Sequence, residues 1–208
     1  MPVNELLPRE TIHLCIDMQQ LFGPGAPWAT PWMERVLPTV TEIVAAQPER
    51  TVFTRFIPPE RPEEMPGMWQ SYYRRWHNVT RQEMNSKWLD LMEPLTKFTP
   101  PARVIDKTRY SAFAGTQLHA FLQEYGISCL LVTGSETDVC VLSSVLSAVD
   151  IGYRVVLVTD AICSSSDDGH EALLKVYHHR YSLQIETASA EEVLDQWRTA
   201  TRRSFGTV

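Results

Sequence analysis

The sequence predicts an α/β fold, a three-layer α/β/α sandwich around a six-stranded parallel sheet of the Rossmann-like type. Short apolar runs alternate along the chain with segments whose apolar residues recur at helical spacing. Several of these runs contain consecutive apolar residues rather than a strict alternation, which is typical of parallel strands buried on both faces. Since parallel strands need helical crossovers, we expect helices on both faces of the sheet. The chain has 208 residues, and we expect residues 1–208 to form a single domain.

Six apolar runs supply the predicted strands. The run 11–17 ends in an acid, and the run 128–134 is the most hydrophobic of the six. The remaining predicted strands are 51–56, 104–106, 154–159 and 182–186.

Helical spacing of apolar residues predicts the segments between the strands. Gly126 and Gly152 follow two of these helices, in the position that glycine often takes after a helix C-terminus. The predicted helices are 33–47, 116–125, 138–150, 170–179 and 190–202.

One segment, residues 57–101, interrupts this alternation. It is rich in proline, and its aromatic residues are Trp69, Tyr72, Tyr73, Trp76 and Trp88 among others. It is too long for a simple connection, so we expect a partly helical flap or insertion over the strand ends. Two roles stay open for it: a structural flap or dimer contact, and a lid whose aromatic side chains shape a substrate pocket.

Composition and charge argue against several classes of partner. The formal net charge is −6, and Lys/Arg runs do not exceed short pairs such as Arg74-Arg75, so we do not expect nucleic-acid binding. The polar first ten residues do not resemble a signal peptide. No apolar stretch reaches the roughly 18 residues that span a membrane. The four cysteines lack CxxC spacing, which fits a reducing cytoplasmic setting.

Three chemically different side chains follow three of the predicted strands. Asp17 ends the first strand, Lys107 follows the third, and Cys140 follows the fourth through the sequence GSETDVC. Ligands of open parallel sheets bind beyond the carboxyl ends of the strands, so we expect these side chains to meet there. Each residue alone has an ordinary structural explanation, but their joint position indicates an active site.

These three residue types suit nucleophilic catalysis. An ordinary thiol, with a pKa of about 8.5, is mostly protonated at neutral pH. We expect the start of a helix and the cation of Lys107 to favour the Cys140 thiolate. Asp17 would take the thiol proton and return it to a leaving nitrogen. Backbone N–H groups in the turn before Cys140 would receive the oxyanion of the tetrahedral intermediate.

The motifs around these residues resemble the isochorismatase-like cysteine hydrolases, which include nicotinamidases, N-carbamoylsarcosine amidases, biuret hydrolases and ureidoacrylate amidohydrolases. The resemblance extends from Ile12 to about Trp197. The motifs that carry it are CIDMQ (15–19), DKTRYSAFAGTQL (106–118), VTGSETDVCV (132–141) and VVLVTDAICSSS (155–166).

The resemblance implies roles for specific residues. Asp17, Lys107 and Cys140 would form the catalytic triad. A cis peptide bond would join Ser135 to Glu136, and the oxyanion hole would consist of the N–H groups of Glu136 and Cys140. The resemblance also implies a homo-oligomer, a dimer or larger, with the aromatic residues of the flap as candidate contacts.

The sequence departs from the metal-dependent members of the family. Nicotinamidases carry a metal site after the second strand, roughly Asp-x-His with another His downstream. Here residues 54–59 read TRFIPP, and no Asp or His follows until His77. His178 and His179 are adjacent on a predicted helix, so their side chains point about 100° apart. We therefore expect neither a metal site nor any other cofactor.

Five further residues near the strand ends are candidates for substrate binding. Arg55 would hold a substrate carboxylate or carbonyl with its planar guanidinium, or it would form an ion pair with a carboxylate of the flap. The other four either line the pocket or pack in the core; they are Phe22, Trp28, Tyr110 and Phe113.

These observations predict a small-molecule hydrolase that cleaves a C–N bond. Isochorismatases proper cleave a vinyl ether and lack the nucleophilic cysteine, so Cys140 favours a covalent thioester formed from a small amide, carbamoyl or ureide substrate. Two alternatives stay open: a vinyl-ether hydrolase in which Cys140 is merely present, and an idle family member that acts as a binding module. The sequence alone identifies no particular substrate.

Overall fold

A parallel sheet of six strands forms the centre of the computed structural model, which describes residues 7–202 and the side chains of residues 7–198. The strand order is β3-β2-β1-β4-β5-β6, and each neighbouring pair runs parallel. The strands are β1 (Thr11–Ile16), β2 (Thr51–Phe56), β3 (Arg103–Lys107), β4 (Cys129–Ser135), β5 (Arg154–Cys163) and β6 (Ile185–Ala188). This sheet confirms the predicted fold class.

Helices cover both faces of the sheet. The connections from β1 to β2 and from β4 to β5 run in opposite directions along the sheet, so right-handed crossovers place their helices on opposite faces. The helices are α1 (Met33–Ala46), α2 (Met68–Arg75), α3 (Glu93–Thr96), α4 (Leu118–Glu124), α5 (Leu142–Ile151), α6 (Asp167–His179) and α7 (Ala190–Arg202). In the described part of the chain, no helix is long and apolar enough to cross a membrane.

The central strands β1 and β4 are buried along their whole length. One imidazole lies among their apolar residues: His13 Nδ1 is 3.3 Å from Thr51 Oγ1, and His13 Nε2 is 2.8 Å from Thr133 Oγ1. Burial lowers the pKa of His13 to about 3, so this imidazole is neutral at physiological pH. Its two hydroxyl partners connect β1 to the strands on either side.

Several elements differ from their predicted positions. Strand β5 extends to Cys163 rather than ending at residue 159, and α6 begins at Asp167 rather than at residue 170. Strand β6 begins at Ile185 rather than at residue 182, because the N–H groups of Gln184 and Ile185 both donate to the carbonyl oxygen of Tyr181 and form a turn there. The predicted helix 138–150 begins with π-helical geometry over Thr137–Val141 and becomes α-helical only at α5. The N–H of Val141 donates to the carbonyl oxygen of Glu136, which is the wider π-helical pattern.

The strand order reverses between β1 and β4, and these strands approach each other closely at their carboxyl ends. Gly134 has a φ of 118°, a conformation that side-chain-bearing residues rarely adopt. A Cβ atom added there would overlap the carbonyl group of Ile16. Glycine at this position therefore allows the two strand ends to meet at the point where ligands bind in open α/β sheets.

The segment 57–101 contains α2, α3 and several short 3₁₀ turns. Backbone hydrogen bonds attach it to the chain just after β1: Gln20 N–H donates to Asp90 O, and Met92 N–H donates to Met18 O, each at 2.9 Å. This attachment holds the segment beside the carboxyl ends of the strands.

Candidate active site

The side chains of Asp17, Lys107 and Cys140 meet beyond the carboxyl ends of β1, β3 and β4. Lys107 Nζ is 2.6 Å from Asp17 Oδ2, and both side chains are fully buried. The Cys140 thiol lies close enough to Asp17 and Lys107 for both to influence its pKa. A thiol, a carboxylate and an ammonium group from distant parts of the sequence thus form one cluster.

Thr54 in β2 orients Asp17. The Thr54 hydroxyl donates to Asp17 Oδ1 at 2.6 Å and accepts from the Asp17 backbone N–H at 3.1 Å. Asp17 itself has a φ of 48°, the left-handed conformation that Asp tolerates better than most residues. Its carboxylate is therefore fixed at both ends, by a strand hydroxyl and by Lys107. Sequence analysis did not identify Thr54 as a site residue.

Lys107 remains a cation in spite of its burial. Burial opposes its charge, but the Asp17 carboxylate favours it, and the net shift raises the pKa of Lys107. Its Nζ also donates to the carbonyl oxygens of Arg109 and Tyr110 at 3.0 Å each. The ammonium group is therefore held in place by neighbours that all carry negative or partially negative oxygen atoms.

The surroundings of Cys140 favour its protonated form. Burial raises the pKa of Cys140; Lys107 lowers it and Asp17 raises it, and the net direction is upward. Lys107 does favour the thiolate, as expected, but burial has the larger effect on the thiol. Deprotonation of this thiol requires a base beside it, which is the position of Asp17.

A cavity of about 270 Å³ opens beside Cys140. Trp28 lies at the centre of its aromatic side chains, with its ring centroid between 5.9 and 6.1 Å from those of its neighbours. We call the aromatic lining residues the aromatic box; they are Phe22, Trp28, Phe56, Tyr72, Trp76 and Tyr110. The remaining lining residues are Pro27, Ala29, Glu136, Val139, Cys140 and Ser165.

Few polar groups face this cavity. Glu136 Oε1 accepts hydrogen bonds from Ser165 N–H at 3.0 Å and from the Thr30 hydroxyl at 3.4 Å. The hydroxyl groups of Tyr72 and Tyr110 lie close enough to influence each other's pKa. The cavity is thus largely aromatic, with a carboxylate and two phenol groups as its main polar features.

Comparison with known proteins identifies the family. The family model described as the isochorismatase domain matches residues 11–189, most of the chain. The chain belongs to the isochorismatase family. It is therefore related to hydrolases, and the fold and the cluster described above belong to a member of that family.

Relatives and solved structures agree with this assignment. A protein of Arabidopsis thaliana named as a probable inactive nicotinamidase is 29% identical over 179 residues, covering 79% of this chain and 86% of that protein. The N-carbamoylsarcosine amidase of an Arthrobacter species is 28% identical over 148 residues; the match covers 67% of this chain but only 53% of that enzyme. A cysteine hydrolase structure from Pseudomonas syringae pv. phaseolicola 1448A superposes with a TM-score of 0.83 at 18% identity, covering 96% of this chain and 98% of that one. At this identity the structural likeness shows the fold.

One backbone feature expected of an isochorismatase-family member is present beside the cluster. The peptide bond between Ser135 and Glu136 is cis, as the resemblance of the sequence implies.

Three of the five predicted substrate-binding residues of this isochorismatase-family chain line the cavity: Phe22, Trp28 and Tyr110. The structure does not bring Phe113 to the cavity, since its ring instead stacks on Tyr153 with a centroid separation of 6.0 Å. Tyr153, which follows helix α5, provides this alternative packing partner, which the sequence position of Phe113 does not reveal.

Arg55 also lies outside the cavity lining. Its guanidinium forms two hydrogen bonds, of 2.7 and 2.9 Å, with Asp106. The two residues are paired in the register of β2 and β3. Side chains alternate between the faces of a strand, so Arg55 points away from the face that carries Thr54 and Phe56. The prediction that Arg55 faces the substrate is therefore wrong, and its carboxylate partner belongs to β3 rather than to the flap.

Several lining residues escaped the analysis of the sequence. Phe56 follows Thr54 by two positions on the same face of β2, a signal that strand alternation could have supplied. Tyr72 and Trp76 come from the segment 57–101, for which a lid that shapes the substrate pocket was one of the two roles left open. The side chain of Glu136 reaches the cavity as well, although only its N–H was predicted to take part.

The residues present do not fit the metal site of the nicotinamidases. Among residues 7–198, no group of three or more His, Cys, Asp or Glu side chains is arranged to hold a metal ion. His178 Nδ1 instead lies 3.3 Å from Thr187 Oγ1 at the end of α6.

Proposed function

We propose that this chain hydrolyses the C–N bond of a small amide, carbamoyl or ureide substrate through a thioester on Cys140, without a metal ion. The observation that carries the proposal is the proximity of the Cys140 thiol to Asp17 and Lys107 beside an aromatic cavity. This arrangement supplies a nucleophile, a proton acceptor and a fixed positive charge at one place.

The first step is attack of Cys140 Sγ on the substrate carbonyl carbon. Because the surroundings of the thiol favour its protonated form, Asp17 accepts its proton as the S–C bond forms. Thr54 and Lys107 hold the carboxylate in position for this transfer. Lys107 keeps its own proton and balances the charge of the cluster.

The developing oxyanion needs hydrogen-bond donors. Cys140 lies in the first turn of the π-helical stretch, where backbone N–H groups lack acceptors within the helix. Its N–H and that of Glu136 are the proposed oxyanion hole, since both belong to the turn that leads from β4 to the nucleophile.

The intermediate then collapses and is hydrolysed. The C–N bond breaks while Asp17 returns the proton to the leaving nitrogen, which departs as ammonia or an amine. Asp17 next accepts a proton from water, whose oxygen attacks the thioester carbonyl. The C–S bond breaks, the acid leaves, and the proton on Asp17 restores the thiol.

The direct test is to trap the acyl group on Cys140. We expect ammonia release from at least one of nicotinamide, biuret, N-carbamoyl amino acids, ureidoacrylate and maleamate. Acid quenching during turnover followed by peptide mass spectrometry should locate the acyl mass on Cys140. Cys163→Ala is the matched control, because Cys163 is also buried but does not line the cavity. Full turnover by Cys140→Ser would overturn the proposal.

A binding function without catalysis is a second candidate, favoured by the name of the Arabidopsis thaliana relative, a probable inactive nicotinamidase. The same experiment separates the two candidates. A protein that binds small amides in the cavity but never forms the Cys140 adduct belongs to the second.

A further inference from the structure

The charge around the cavity is unbalanced toward negative. Asp17 and Lys107 neutralise each other at 2.6 Å, and Glu136 adds a further carboxylate to the lining. No Lys, Arg or His side chain is among the described residues that line the cavity. Arg55, the cation at the end of β2, is paired with Asp106 on the other face of the sheet.

The Glu136 carboxylate has unused hydrogen-bonding capacity. Its Oε1 is occupied by Ser165 and Thr30, but among residues 7–198 no hydrogen bond reaches Oε2. The charge of Glu136 also acts on the aromatic box. Burial is the main cause of the raised pKa values of Tyr72 and Tyr110, and Glu136 makes a smaller contribution in the same direction. A positive group in the cavity would therefore gain a counter-ion, and a negative group would be repelled.

The aromatic box suits a cation for a second reason. The faces of aromatic rings attract positive charge, most strongly for Trp, and such contacts strengthen when water is excluded. Trp28 and Trp76 lie together in the box, with ring centroids 6.1 Å apart. Phe56 already has Lys107 Nζ 4.8 Å from its centroid, so a cation in the cavity would contact the other rings of the box.

We infer that the substrate is a small amide that carries a cationic group, such as an alkylammonium or trimethylammonium. This inference rests on the proposed function for the chemistry at the carbonyl. The cation occupies the aromatic box with Glu136 as its counter-ion, and the amide carbonyl lies beside Cys140. Amides that carry a carboxylate are disfavoured, because no cation of the lining would compensate their charge.

Three amides of similar size test the charge preference. They are trimethylglycinamide, which is a cation, its neutral isostere 3,3-dimethylbutanamide, and the anion malonamate. Binding to the Cys140→Ala protein is measured by isothermal titration, so that no turnover is needed. We expect the cation to bind at least about tenfold more tightly than the neutral isostere, and malonamate to bind most weakly.

Variants locate the effect in the box. Trp76→Leu in the same Cys140→Ala background should remove most of the advantage of the cation over its isostere. Arg55→Gln is the matched control and should leave the ratio of dissociation constants unchanged, because Arg55 lies outside the cavity lining. A circular dichroism spectrum identifies any variant that fails to fold. For such a variant, the milder Trp76→Phe replaces it and should give an intermediate ratio.

The outcome is distinguishable from failure of the proposed function. If the neutral isostere binds as tightly as the cation, or if the cation does not bind measurably, the inference is overturned whatever the enzyme hydrolyses. If the wild-type protein forms no Cys140 adduct with any amide but the cation still binds preferentially, the catalytic proposal fails and the charge preference stands.

Discussion

At the scale of single residues, burial has the largest effect on the pKa of the Cys140 thiol. A helix N-terminus favours an anion by roughly 0.3–1 kcal/mol, whereas complete burial shifts a pKa by up to about 3–5 units. Cys140 and Asp17 are both buried, so the larger effect sets the direction in which the pKa of the thiol is shifted. The sequence predicted which residue types meet here, but it could not predict how completely the flap and the sheet exclude water from them.

The raised pKa of Cys140 predicts an unusual pH dependence of its alkylation. A group with a raised pKa gains thiolate only at higher pH, so the iodoacetamide rate should rise throughout the range from about pH 7 to about pH 9.5. The rate is measured on the Cys140 peptide by mass spectrometry, with glutathione as the unshifted reference. A plateau near the ordinary thiol pKa of about 8.5 would contradict the raised value.

Thr54 is predicted to be a positioning residue. Thr54→Val removes both hydrogen bonds to Asp17, which should lower kcat about 10- to 100-fold, the effect of losing a hydrogen bond to a charged group. KM should change little, because Thr54 does not line the cavity. Thr54→Ser keeps the hydroxyl and should restore most of kcat. Equal kcat for the two variants would show that the hydroxyl is not needed.

At the scale of elements, the predicted and observed bounds agree best where the residues of an element alone determine its structure. Strands β1 and β4 have nearly the predicted bounds, because an apolar run alone identifies a strand buried on both faces. Strand β6 was placed three residues too early, since Leu183 extends the apolar pattern but is exposed in a turn. The π-helical turn at Cys140 has no periodic signal over so few residues, and it was missed.

His13 connects three strands and should make stability depend on pH. Its pKa is about 3 in the folded state and about 6.5 in an unfolded chain, so between these values only the unfolded chain takes up the proton. The neutral imidazole therefore makes its full contribution to the free energy of unfolding above about pH 6.5. Below that pH the contribution decreases by about 1.4 kcal/mol per pH unit.

The measurement is urea unfolding at several pH values below about 6.5, compared between the wild type and His13→Gln. The glutamine stays neutral and can still hydrogen-bond to a neighbouring threonine. For this variant, the free energy of unfolding should decrease less steeply as the pH is lowered. The difference in slope should correspond to the uptake of about one proton. Identical slopes would show that His13 does not cause the acid sensitivity.

At the scale of the whole molecule, the parallel sheet explains why distant residues meet. The carboxyl ends of all six strands lie on one edge, so Asp17, Lys107 and Cys140 could be assigned to one site from strand assignments alone. The cavity was not predictable in this way, because Tyr72 and Trp76 reach it through tertiary contacts of the segment 57–101. Local patterns do not specify such contacts.

The assembly state of the whole molecule is a further prediction. Met68, in the segment 57–101, is 79% exposed, and we predict that it lies in a subunit contact. Light scattering after size-exclusion chromatography should give the mass of a dimer or larger assembly, and Met68→Glu should lower it. Leu183→Glu is the matched control, since Leu183 is 88% exposed but lies outside the segment. A monomeric wild-type protein would contradict the prediction.

The close approach of β1 and β4 at Gly134 has a consequence for mutational tolerance. In a library that samples all amino acids at each position, residue 134 should admit glycine alone, since even alanine would overlap Ile16. The neighbouring Thr133 should tolerate serine, because its hydroxyl serves His13 without such crowding. The frequency with which each amino acid is recovered from the library at residues 133 and 134 is the measured quantity. The frequencies at residue 134 would report on strand spacing and those at residue 133 on hydrogen bonding, without any assay of catalysis.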